Sequence, residues 1–488
     1  MTRQRRVVAA QVARNPRFMI LPWAMIAGFG ASIIARDWTL LASAIGLWVV
    51  WRLLPREQGP PVFRLALTFQ WVQVTAGLWY LALTSRRIFT MDACDYQPMV
   101  LLGLLSIVFL ALGLRWGTGR VRQGSPSRAR RMRLPLSDWN LFVADLIMVL
   151  LTGAVLILAD RYYIFNQILL ALLPIRTAVV FLMFRRLMRP VPRWGLIIAL
   201  LSFELVLGFT NFFAGFREPL IMLTLCTIEV FDYRRGSHWV RIAALGGLII
   251  ATGLLWTEIK SDFRSRWTSD EFANSQSQRL QALNEDVSNW RQRSTGDPWA
   301  GADAFVDRIW TIRYPALALR RVPSAVPHAN GALLSAVIMN LLQPRILFPD
   351  KPDMPSDSLK VREYAGVWVA GPEQNTSIAF GYVAESYVDF GIPLMFMPIF
   401  LCGTLWGALL QWLRNKFHHE ELSIGATVLL GWSILYLFER SWLMLLGFGL
   451  TMFLTVGGLA LAADRLIPIL LRKRSLLRGS APRSLNAA

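Results

Sequence analysis

The chain predicts an all-α, multi-pass membrane fold. Hydrophobic residues make up 55% of its 488, and mean hydropathy is +0.43. Several apolar runs reach the roughly 18 to 20 residues that a bilayer-crossing helix requires. Arginines cluster in short loops between those runs, in alternation. Run length places about twelve spans, near residues 18–35, 38–55, 62–84, 98–116, 139–159, 165–184, 194–213, 217–231, 239–257, 390–413, 422–439 and 442–464.

Charge tests the count. One set of loops, within 3–17, 52–64, 120–133, 185–193, 234–241, 414–416 and 472–478, is rich in arginine and lysine. The opposite short loops offer Arg36, Arg86, Arg87, Arg161, Arg217 and Arg440. The positive-inside rule therefore puts both termini in the cytoplasm. Losing any one span would scramble the alternation, so the pattern supports all of them. The net charge of +20 then serves topology and anionic lipid rather than nucleic acid. Cys94, Cys226 and Cys402 have no CxxC spacing, which argues against a disulfide framework or a structural metal. The segment MTRQRRVVAAQVARNPR leads into the first run without a small-residue cleavage site and reads as the approach to a retained helix. The tail RKRSLLRGSAPRSLNAA reads as disordered.

Five regions follow: a basic cytoplasmic stretch over 1–17, about nine helices over 18–257, an outer cap loop over 258–389, three helices over 390–464, and a basic cytoplasmic tail over 465–488. The cap carries Trp267, Trp290, Trp299, Trp310 and Trp368 together with helical patterns in SQRLQALNEDVSNWRQR and DAFVDRIWTIRYPALALRR. A long loop of that kind is folded and functional rather than a linker. Its run GALLSAVIMNLL is too short to span and suits an interfacial or re-entrant helix.

Four motifs meet at the outer boundary. QPRILFPDKP, residues 343–352, holds Arg345 and Lys351 on a proline-stiffened strap, where a guanidinium suits a phosphate. The same strap could instead touch headgroups or pair with Asp350 and Asp353. In AGFREPLIMLTL, Arg217 and Glu218 open a span whose N-terminal amides favour an anion, or form a simple edge ion pair. In KSDFRSRW, Arg264 and Arg266 leave the ninth span as phosphate ligands or as a basic flank. In NTSIAFGYVAESYVDFG, Thr376 or Ser377 is expected to cap a helix carrying Glu385 and Asp389, carboxylates that are costly beside an apolar run without work or partners. With Arg440, these residues offer cations for a lipid-linked diphosphate and a carboxylate for a sugar hydroxyl proton. His328 is a third candidate base, because His238, His418 and His419 fall on the cytoplasmic side.

The span count, the late outer loop, GFREPL, PRILFPDKP and GYVAESYVDFG together resemble the bacterial oligosaccharide repeat-unit polymerases, the Wzy-type O-antigen and exopolysaccharide polymerases. That resemblance implies a GT-C-like, metal-independent and cofactor-free integral-membrane glycosyltransferase. It would join undecaprenyl-diphosphate-linked oligosaccharides on the periplasmic face, beside a flippase and a chain-length regulator as partners. The absence of a DxD pair agrees with a metal-free transfer. The resemblance places Arg217 and Arg345 on the family's outer-loop arginines. Glu385, in Ala384-Glu385, falls where the family has Gly-Glu. Arg217, Arg264, Arg266, Arg345, Lys351 and Arg440 would then bind diphosphate, and Glu385, Asp389 or His328 would act as base. An O-antigen ligase-type transferase shares this chemistry. A lipid-linked oligosaccharide flippase shares the span count, but nine spans before the loop and three after it show no repeated halves.

Overall fold

The computed structural model describes residues 29–33, 37–54, 60–123, 132–134, 137–162, 165–209, 215–232, 234–267, 281–286, 288, 299–345, 347–348, 350–374 and 376–479; side chains of 160, 260–267 and 468–479 lie outside the description. The described residues are mostly helical, with one isolated β-bridge between Met132 and His419.

Fifteen principal helices follow in chain order. They are α1 Trp38–Leu53, α2 Val62–Thr84, α3 Gln97–Gln123, α4 Asp138–Arg161, α5 Ile175–Leu187, α6 Trp194–Phe209, α7 Arg217–Glu229, α8 Gly236–Trp267, α9 Ala300–Ile309, α10 Arg313–Arg321, α11 Ala332–Leu342, α12 Tyr382–Phe390, α13 Phe396–Lys416, α14 Glu420–Leu435 and α15 Gly449–Gly479. Every expected span from 38–55 onward coincides with a helix, whereas most of 18–35, the approach before it and the tail beyond residue 479 lie outside the described residues.

Six helical stretches are long and apolar enough to cross a membrane: Gln97–Val121, Asp138–Ala159, Asn166–Leu187, Gly236–Ile259, Phe396–Lys416 and Leu443–Ile467. The difference from about twelve has a physical basis. At 1.5 Å per residue, α1 and α14, of 16 residues each, and α7, of 13, fall short of a ~30 Å hydrocarbon layer, and α6 is described over 16 residues. Helix α2 has the length, but it carries Arg64, Gln70 and Gln73.

The tightest crossing is between α3 and α13. Gly113 and Gly117 on one helix face Gly403 and Gly407 on the other, both pairs spaced as GxxxG. A Cβ at Gly113 would sit 2.1 Å from the Phe400 carbonyl, and one at Gly403 would sit 2.4 Å from that of Leu110. Gly403→Leu is therefore expected to cost about 3 kcal/mol and to lower the yield of folded protein. A monodisperse size-exclusion peak of wild-type height in detergent extract would contradict this crossing.

By contrast, α4 is open along most of its length, with Leu150 71% and Ile157 70% exposed. The cap packs on the opposite end from the arginine-rich loops. There Tyr80 donates to Asp303 at 2.5 Å, Arg86 pairs with Asp303 at 2.8 Å, and the Thr90 amide donates to Asp307 at 2.8 Å. The helical pattern DAFVDRIWTIRYPALALRR forms two helices, with Trp310 turned inward between them. Its indole lies where a Cβ on Gly77 would be, 2.3 Å away, and donates to the Val74 carbonyl at 2.7 Å. Of SQRLQALNEDVSNWRQR, the described residues 281–286 are helical. Helix α11 matches GALLSAVIMNLL and leaves Met339 and Leu342 exposed, as an interfacial helix would.

Candidate functional site

A cavity of about 520 Å³ opens where the cap meets the helix ends, lined among others by Asp307, Arg308, Arg313, Asp357, Glu439 and Arg440. Its polar walls come from three elements. The first is the turn between α9 and α10. Inserting Trp310 brings Asp307 and Arg308 to one side and Arg313 to the other. Arg313 lies over the Phe89 ring at 4.5 Å, and its Nε is buried without a hydrogen-bond partner.

The second is the connection after α14, LFERSW, residues 437–442. The Phe438 amide donates to Gln73 Oε1 at 2.9 Å, and the Tyr382 amide donates to the Arg440 carbonyl at 2.5 Å. The Trp442 amide donates to Glu385 Oε2 at 2.6 Å. Gln70 completes the brace, donating to the Leu435 carbonyl at 2.6 Å and accepting from Tyr382 at 2.8 Å. With the backbone held at these points, Glu439 and Arg440 point into the cavity. Arg440 lies over the Tyr436 ring at 5.2 Å.

The third is the short helix Asp357–Lys360. Lys360 Nζ donates to Asp357 at 3.0 Å and to Glu385 at 2.6 Å. Burial alone would lower the Lys360 pKa, but the two carboxylates outweigh it and hold the ammonium above its usual range.

The cavity lining holds three guanidiniums and three carboxylates, yet they are not matched into pairs. Among the described residues, no carboxylate lies at ion-pair distance from Arg308 or Arg440. Burial and the nearby Arg217 push the Arg308 guanidinium below its usual range, with Glu439 opposing. A bound anion would relieve that destabilisation. Glu439 is exposed to the cavity, and partial desolvation by the surrounding protein raises its carboxyl above the usual range against Arg308, Arg217 and Arg440.

The expected site residues divide sharply around this cavity. Arg440 lines it, and Arg217, at the start of α7, is close enough to act electrostatically on both Arg308 and Glu439. Glu385 is fully buried, with one oxygen on Lys360 and the other on the Trp442 amide. It braces the strand of chain that carries Glu439 and Arg440. Asp389 is 1% exposed and accepts from the Leu333 and Leu334 amides at 3.0 and 2.8 Å, capping α11. His328 packs against Tyr387, with Nδ1 3.2 Å from the Val388 carbonyl. Helix α12 is not capped by Thr376 or Ser377 as expected. It starts after Gly381 at φ +94° and ends at Gly391 at φ +63°, conformations that favour glycine at both boundaries.

The strap QPRILFPDKP closes α11. Lys351 donates to the Asn340 and Gln343 carbonyls at 2.9 and 2.6 Å and to the Asn340 side chain, satisfying a helix C-terminus. Burial lowers its ammonium pKa. Arg345 pairs with Asp353. Arg264 and Arg266 lie on α8 with side chains outside the described residues. Arg308, Arg313, Asp307 and Glu439 were not singled out by sequence pattern. Their signal was weak: charged positions within an amphipathic cap helix and at the end of an apolar run.

The family described as a domain of unknown function, DUF8712, matches residues 130–442, and the chain belongs to it. The matched region holds the cap and runs through the brace to Trp442, so nearly all of the cavity wall lies inside it. No curated protein and no solved structure matches the chain.

Proposed function

We propose that this DUF8712 member is a metal-independent membrane glycosyltransferase of the bacterial inner membrane. On this reading it polymerises undecaprenyl-diphosphate-linked oligosaccharides on the periplasmic face, with about twelve transmembrane helices and both termini in the cytoplasm. One observation carries the reading: a cavity at the end opposite the arginine-rich loops, where Arg308 and Arg440 stand beside Glu439 with no carboxylate at ion-pair distance among the described residues. Arg308, Arg313 and Arg440, with Arg217 behind them, bind the donor diphosphate and stabilise its charge as it leaves.

The acceptor hydroxyl attacks the donor's anomeric carbon. A new glycosidic C–O bond forms, the bond from that carbon to the diphosphate oxygen breaks, and undecaprenyl diphosphate departs with the bonding pair. Glu439 takes the hydroxyl proton. Its raised pKa makes it a stronger base than an ordinary carboxylate, available only above that raised value. Glu385 and Asp389, sealed behind this wall, position the chain instead of touching substrate.

The sign of the pH dependence follows. Glycosyl transfer in proteoliposomes is expected to fall as pH drops through the raised Glu439 pKa, at a higher pH than an ordinary carboxylate would give. Glu439→Gln should lower the rate by roughly 10²- to 10⁴-fold and remove the acid limb. A full rate with an unchanged pH profile in that variant would rule out Glu439 as the base.

A further inference from the structure

A second cavity, of about 500 Å³, lies at the arginine-rich end of the molecule, lined by Asp138, Arg186, Arg189, Pro190, Val191 and Arg193. The turn between α5 and α6 builds it. The Arg189 amide donates to the Arg186 carbonyl at 3.2 Å and the Arg193 amide to the Leu187 carbonyl at 3.0 Å, which gathers three guanidiniums around one opening. Asp138, at the start of α4, is shared between Arg186 and Arg193. Arg189 reaches Glu229 at 2.9 Å, but that carboxylate also serves Arg185 at 3.0 Å. Positive charge therefore exceeds negative in a pocket whose arginine side chains are each nearly half exposed.

The pocket continues onto an apolar wall. Val191 is 72% and Trp139 69% exposed at its rim, and Phe142, Leu146 and Leu150 carry that surface along α4. Trp194 stands nearby with the Arg241 guanidinium 4.7 Å from its ring centre. A cationic pocket that opens onto an uncovered apolar helix face matches a ligand with an anionic phosphate head and acyl chains.

We propose that this pocket is a binding site for the phosphate headgroup of an anionic phospholipid, whose acyl chains lie against α4. It is separate from the cavity at the cap and does not depend on the glycosyl-transfer reading. Basic pockets between helix ends on the cytoplasmic side of membrane proteins recognise such headgroups.

Native mass spectrometry of the purified full-length protein tests it, with phosphatidylglycerol, phosphatidylcholine and inorganic phosphate as probes. One phosphatidylglycerol should be retained in preference to phosphatidylcholine and should resist millimolar inorganic phosphate. Arg186→Gln with Arg193→Gln should weaken retention roughly 30-fold. Arg189→Gln leaves the Asp138 pairs intact and should weaken it roughly fivefold, which keeps the test decisive if the double variant misfolds. Equal retention of phosphatidylcholine, or undiminished retention by the Arg189 variant, would overturn the site. Displacement by inorganic phosphate would show a free-phosphate pocket and overturn the lipid assignment.

Discussion

Replacing Arg308 and Arg440 together with glutamine should reduce polymer by roughly 10²- to 10⁴-fold while protein level stays near wild type. Each guanidinium is expected to make a charge-assisted bond to the donor diphosphate worth about 1.5 to 3 kcal/mol. Neither has a carboxylate at ion-pair distance among the described residues, so removing them breaks no ion pair there, and Arg217 remains to offset Glu439. Arg345→Ala is the informative companion. Its guanidinium pairs with Asp353 on the strap that closes α11, so polymer should stay near wild type, whereas a direct role on diphosphate would abolish it. The measurement is a polymer ladder on a gel beside an immunoblot. Full-length polymer from the double variant would remove the phosphate-binding role from this cavity.

Lys360→Met should have the largest effect on folding. It leaves Glu385 fully buried, with the Trp442 amide as its remaining bond, and breaking one side of such a pair costs about 3 to 5 kcal/mol. Folded protein should fall sharply, and polymer with it. Adding Glu385→Leu removes the fully buried one of Lys360's two carboxylate partners, leaving Asp357 at the cavity wall, and should restore much of the folded protein, since a buried pair replaced by apolar side chains is often neutral. Activity need not return, because the Glu385 bond to the Trp442 amide, one tie of the brace on LFERSW, is still missing. A thermal melt in detergent checks both variants. Equal melting temperatures for Lys360→Met and wild type would mean that the pair is not holding this wall.

Helix positions were legible because apolar run length is a local property. From residue 38 onward each expected span lies on a helix, and α2 coincides with 62–84. Membrane crossing is a harder inference from the same runs, since α1, α7 and α14 are helical but short. The GxxxG pairs of α3 and α13 were written in the chain, and their spacing is a signal for close crossing. Which partner each faces is set by packing across almost 300 residues.

The site was less legible for a related reason. A carboxylate beside an apolar run suggests either work or a partner, and local sequence cannot choose between them. The partners of Glu385, at Lys360 and Trp442, lie 25 residues before it and 57 after it. Asp389 is satisfied by amides of α11, more than 50 residues upstream. On the strap, Lys351 likewise found a local duty at a helix C-terminus, while Arg345 pairs with Asp353. Arg308 and Glu439 became neighbours only once Trp310 folded inward and the LFERSW connection was clamped, and neither event has a motif.

The most direct test of the central claim is the pool of lipid-linked intermediates in a deletion strain, extracted and sized, with wild type or the Arg308→Gln/Arg440→Gln variant supplied in trans. The account predicts single repeat units on undecaprenyl diphosphate, accessible from the periplasmic side, in both the deletion and the variant, and polymer on rescue with wild type. Long lipid-linked polymer that never reaches its final acceptor, or units trapped facing the cytoplasm, would contradict it, the first pointing to a ligase and the second to a flippase.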